Sequence, residues 1–71
     1  MAKNVLAQTI GDNIYRFRQQ QGLSQTKLAE MSDCSQAQVW HYENGINMPS
    51  IKTLQKICKC LGVSATDILG F

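Results

Sequence analysis

Four serines, Ser24, Ser35, Ser50 and Ser64, each stand directly before a stretch whose apolar residues recur at helical spacing. A serine hydroxyl at such a place accepts a hydrogen bond from one of the first-turn N–H groups that a helix leaves without a partner. Between these start signals lie stop signals tolerant of positive φ: Gly22, Asp33, Asn44-Gly45 and Gly62. Punctuation this dense leaves only short helices. No region alternates apolar and polar residues with period two for long, so strands are poorly supported. The expected fold class is all-α, a compact five-helix bundle.

The first helix carries Leu6, Ile10, Ile14 and Phe17 at i, i+4, i+8 and i+11, one face of a helix, and stops near Gln21 before Gly22. Gly11 interrupts it, at about 1 kcal/mol relative to Ala, and marks a close approach or an imperfect start. The second runs from Gln25 to about Met31 with Leu28 and Ala29 inward; the third runs from Gln36 to about Glu43 with Val39 and Tyr42 inward. Ile46-Asn47-Met48-Pro49 is a loop. In the fourth, Ile51, Leu54, Ile57, Cys58 and Leu61 form an apolar stripe, and in the last, Ile68 and Leu69 face inward.

Seventy-one residues make one domain, 1–71, with little room for a buried cleft. One His, no Ser/His/Asp set and no Gly-rich phosphate loop leave an enzyme nothing to work with. No stretch reaches the roughly 18 apolar residues of a membrane span, and Met1-Ala2-Lys3-Asn4 is not followed by the apolar core of a signal peptide. A cytoplasmic chain is expected. Three cysteines, Cys34, Cys58 and Cys60, cannot close a disulfide framework, and the i, i+2 pair lacks zinc-ligand spacing, so neither a metal nor another cofactor is expected. The net charge of +2 neither demands nor forbids a nucleic-acid partner, and no Lys or Arg lies between Asp33 and Ile51.

The second and third segments share one geometry. With Gln25 as the first position, a small residue at the fifth, Ala29, lets two helices cross closely. Leu28, Val39 and Tyr42 lock their angle, and Asp33, the ninth, makes the sharp turn through positive φ. This is a helix-turn-helix over about 25–43, whose second helix enters a major groove.

Gly22-Leu23-Ser24-Gln25, Leu28-Ala29, Val39, Tyr42-Glu43-Asn44-Gly45, Pro49-Ser50, Leu54 and Leu61 together closely resemble the lambdoid phage repressor and Cro family, the XRE-type helix-turn-helix. The resemblance covers about Ile10 to Leu69. It implies a lambda repressor-like five-helix domain that binds double-stranded operator DNA as a two-fold homodimer, with no small-molecule substrate and no membrane. Two positions depart from the family pattern: Asp33 stands where Gly is usual, and Ile46, Asn47 and Met48 stand where many relatives carry Lys or Arg.

The face of the third helix not used by Val39 and Tyr42 comprises Ser35, Gln36, Ala37, Trp40 and His41. By resemblance Gln36 is the chief base reader, its amide matching the N6/N7 edge of adenine. Ala37 suits a thymine methyl, and His41 a guanine N7 or O6. Trp40 either seals the edge of the core or meets thymine methyls and sugars. The resemblance places phosphate at Gln25; Ser35, the Asn44-Gly45-Ile46 backbone, the Asn47 amide and Lys52 are further phosphate contacts, while Arg16 and Lys27 read as solvated. Arg18 and Glu43 match a family ion pair that braces the third helix against the first. The dimer surface is expected in the C-terminal portion, with Phe71 either an interface residue or a core plug, and no separate dimerisation domain. The competing reading is a protein-interaction module or antitoxin-type protein on the same scaffold.

Overall fold

A computed structural model describes residues 4–71, so the N-terminal segment through Lys3 lies outside it. The described residues form five helices and no strand: α1 (Val5–Gln20), α2 (Gln25–Met31), α3 (Gln36–Glu43), α4 (Ile51–Leu61) and α5 (Ala65–Leu69). All four serines do what their position implies. Ser24, Ser35, Ser50 and Ser64 each accept the backbone N–H three residues on, from Lys27, Gln38, Thr53 and Asp67. In α3 and α5 the third residue reciprocates, Gln38 and Asp67 accepting from the cap's own N–H, which satisfies two orphan donors at once. The first cap is Asn4, whose side chain accepts from Ala7.

Asp33 sits at φ 60, the one positive-φ residue other than glycine among those described. Its carboxylate accepts from Lys56 Nζ at 3.0 Å, which ties the turn to α4 and holds the acid below its usual range. Positive φ at Gly22 and Gly62 ends α1 and α4.

The core is built from every helix: Ile14, Leu28, Val39, Ile57 and Ile68 are fully enclosed, with Ile10, Ala29, Tyr42, Leu54, Cys58 and Leu61 around them. Two expected inward positions are corrected. Leu6 is 37% exposed, and the seam of α1 is instead Ala7, Ile10, Gly11, Ile14 and Arg18, with Phe17 at its flank. The cause is Gly11, where a Cβ would lie 2.1 Å from the Tyr42 carbonyl oxygen, so α1 turns this residue and not its neighbours towards α3. Ile51, the first residue of α4, is 74% exposed, and the stripe begins at Leu54. Leu69 is half-buried. Two side chains bolt the far ends together: Asn13 Nδ2 donates to Ile68 O at 2.9 Å and Gln21 Nε2 donates to Leu61 O.

Burial raises the Tyr42 phenol and the thiols of Cys34, Cys58 and Cys60 above their ordinary values. For a raised acid the folded state favours the neutral form, so the stabilisation is complete below the unfolded pKa and is lost as pH rises through the folded one. The melting temperature under reductant is expected to hold at pH 7.5 and to fall beyond the thiol value of 9.0 and the phenol value of 10.0. A thermal melt series from pH 7.5 to 11 checks this; a flat profile contradicts it.

Candidate nucleic-acid interface

α2 and α3 place two N-termini side by side. The link is a pair of side-chain amides: Gln36 Nε2, at the start of α3, donates to Gln25 Oε1, at the start of α2, at 2.6 Å. Gln25 Nε2 donates in turn to Glu43 Oε1 at 3.0 Å. Glu43 is gripped by Arg18 in a two-point pair, Nε to Oε2 at 2.6 Å and Nη2 to Oε1 at 2.9 Å, and Arg18 Nη1 donates to the Leu23 carbonyl at 2.7 Å. The side chains of Arg18 and Glu43 are 7% and 3% exposed. The hydrogen bonds to Glu43 raise the guanidinium pKa further, so Arg18 keeps its charge at any ordinary pH. The Tyr15 ring covers the guanidinium at 5.3 Å.

With Val39 and Tyr42 buried, helical geometry turns the opposite face of α3 outward. Gln36 and Ala37 are exposed there, and His41 is half-buried. Trp40 is 45% exposed, so it does not plug the core; its ring meets that of His41 edge-on, 5.5 Å between centroids. Ser35 is exposed at the helix start, its hydroxyl engaged as the cap. Together these form one hydrogen-bonding ridge about one helix wide, without Lys, Arg, Asp or Glu.

At the other end of α3 the backbone closes on itself. Ile46 N–H donates to His41 O and Gly45 N–H to Tyr42 O, the paired bonds of a glycine-closed helix end, and Asn44 N–H donates to Trp40 O. The Asn44 side chain caps the same carbonyl, Nδ2 to Trp40 O at 2.8 Å. Each backbone donor of Asn44, Gly45 and Ile46 thus has an acceptor within the protein. Asn47 and Lys52 are both exposed beside the start of α4.

A model of the helix-turn-helix family, HTH_3, matches residues 14–68. The chain belongs to this helix-turn-helix family. Among its relatives, the HTH-type transcriptional regulator PuuR of Escherichia coli K12 is 39% identical over 60 residues, which is 84% of this chain and 32% of PuuR. The immunity repressor of Bacillus phage phi105 is 31% identical over 87% of this chain and 43% of that protein. The chain thus spans about a third of the length of PuuR and less than half of the phage repressor. The crystal structure of the clp gene regulator ClgR from Corynebacterium glutamicum superposes with a TM-score of 0.88 at 29% identity, over 96% of this chain and 72% of ClgR.

Within this helix-turn-helix domain, two contributors escaped the sequence reading. Gln38 lies on the exposed side of α3, yet its side chain accepts the Ser35 N–H at 2.9 Å. The Ser-x-x-Gln spacing of a capping box was the available signal. The contact of Glu43 with Gln25 had none, since the partners lie on different helices, eighteen positions apart. No helix among the described residues is long and apolar enough to cross a membrane.

Proposed function

We propose that this chain is a cytoplasmic, sequence-specific DNA-binding transcriptional regulator, a repressor that reads a palindromic operator through the major groove. The observation that carries this reading is the outward ridge of α3, Gln36, Ala37, Trp40 and His41, held from behind by Val39, Tyr42 and the Arg18–Glu43 pair. Relatives whose names describe transcriptional regulators and a repressor support it.

Each residue acts through its own chemistry. Gln36 offers donor and acceptor together, the pattern of an adenine edge. Ala37 and the Trp40 ring offer apolar contact to thymine methyls, and His41 donates to a guanine edge. Gln25 spends one amide hydrogen on Glu43 and keeps the second for phosphate. Ser35, Asn47 and Lys52 add phosphate contacts along the same edge, which set register without reading sequence. A homodimer places two such ridges about 34 Å apart, one turn of DNA. The surface for it is the open apolar cleft of about 330 Å³ between α4 and α5, lined by Ile51, Leu54, Cys58, Ala65 and Leu69. Phe71 stands beside it in sequence, 76% exposed and no core plug.

Selection of bound duplexes from a random pool tests the proposal. A palindromic consensus, bound more weakly as salt rises, is the expected result. Binding without sequence preference, or binding that ignores salt, favours the protein-interaction reading instead. On the selected duplex, Gln36→Ala is expected to lose about 1–3 kcal/mol of discrimination at one base pair. Lys52→Ala, at a phosphate contact, is expected to weaken all duplexes alike. Titrations on a set of singly substituted duplexes separate the two patterns, and an exchange of them between the two variants overturns the assignments.

A further inference from the structure

We propose that Glu43, which faces the protein interior, determines which way round the Gln36 amide is presented and thereby which base it prefers. The inference rests on the DNA-reading role proposed above. A glutamine amide is ambiguous: rotated by half a turn it exchanges its donor for its acceptor at almost no cost in shape. A base-reading glutamine needs one sense only, because adenine presents N7 as acceptor and N6 as donor in a set order.

The structure supplies a terminus that removes the ambiguity. The Glu43 carboxylate is acceptor-only and Arg18 is donor-only, so their pair has one polarity. Gln25 reaches Glu43 with Nε2, which leaves Oε1 as the atom turned to Gln36. Gln36 must meet that oxygen with Nε2, and its own Oε1 and second N–H then point away in a defined order. Turning over either amide alone sets oxygen against oxygen or nitrogen against nitrogen. Polarity therefore passes from a buried charge through two amides to the exposed ridge. Glu43 is a positioning residue, as is Gln25 in this respect.

Two variants test this with a readout that a purely supporting role does not move. Gln25→Lys replaces the amide with a donor-only group next to Glu43, so Gln36 is forced to turn its oxygen inward. The double variant Arg18→Met, Glu43→Leu removes the polar terminus without leaving a buried charge. Each is titrated against the duplex that the wild-type chain selects from a random pool, and against the same duplex with the base pair mapped by Gln36→Ala changed from A·T to G·C. The readout is the ratio of the two dissociation constants, which is independent of overall affinity. The wild-type ratio is expected to be roughly tenfold or more, the size of one bidentate contact. Both variants are expected to bring it below about threefold, with ratios at the other positions altered by less than about twofold. A wild-type ratio retained in Gln25→Lys overturns the inference, and that variant decides alone if the double variant does not fold. A wild-type chain that selects no sequence overturns the regulator reading, and this inference with it.

Discussion

Arg18→Met alone is expected to cost about 3–5 kcal/mol of folding stability, because it leaves the Glu43 carboxylate buried without its cation. A chain of 71 residues has on the order of 4–10 kcal/mol in total. The loss is therefore between about a third and all of that stability. At about 4–8 °C per kcal/mol for a domain of this size, the melting temperature falls by roughly 12 °C at the least. The double variant Arg18→Met, Glu43→Leu is expected to recover most of that loss, since removing both ions of a buried pair also removes their desolvation cost. Thermal denaturation of the wild type, the two single variants and the double variant forms a closed cycle. A double variant as damaged as the worse single one contradicts the account, because it means that the stability resides in packing and not in charge compensation.

Gly11→Ala is the second large effect. Alanine is the better helix former by about 1 kcal/mol, so propensity alone predicts a gain. The structure predicts a net loss of about 3 kcal/mol, at the upper end of overpacking costs. The added Cβ lies 2.1 Å from the Tyr42 carbonyl oxygen and 3.0 Å from the Glu43 backbone. These are main-chain atoms in the last turn of α3, and no side-chain rotation can move them aside. Relief requires α1 to back away from α3, which also stretches the Arg18–Glu43 pair. Gly22→Ala is the control: nothing lies within 4 Å of its Cβ, and only its φ of +68 is unfavourable, at about 1 kcal/mol. Denaturant titration of the two variants compares them directly, and a Gly11→Ala chain as stable as the wild type contradicts the close approach.

What could be read from residues alone follows the range of each interaction. Helix starts were legible because a serine cap bonds to a donor three residues away, and all four serines cap where they stand. Asp33 was legible as a positive-φ turn because Ala29, Val39 and Tyr42 on either side demand a sharp reversal. The inner line of α1 was not, because apolar periodicity assigns Leu6 and Phe17 to a face while the position of Gly11 decides which line meets α3. The closing of the α3 end was legible in part. Asn-Gly signals a helix end, but which carbonyls its N–H groups meet is set by the three-dimensional path of the turn. The amide chain from Glu43 to Gln36 leaves α3, passes through Gln25 of α2 and returns, and no spacing along the chain encodes it.

The placement of Trp40 has a practical consequence. It is the single tryptophan of the chain, and it lies on the surface with nearly half its area in water, while the enclosed aromatic of α3 is Tyr42. Indole emission from this protein is therefore no direct gauge of the interior. It is instead an intrinsic optical label for whatever comes to rest against the outer side of α3, available without any dye.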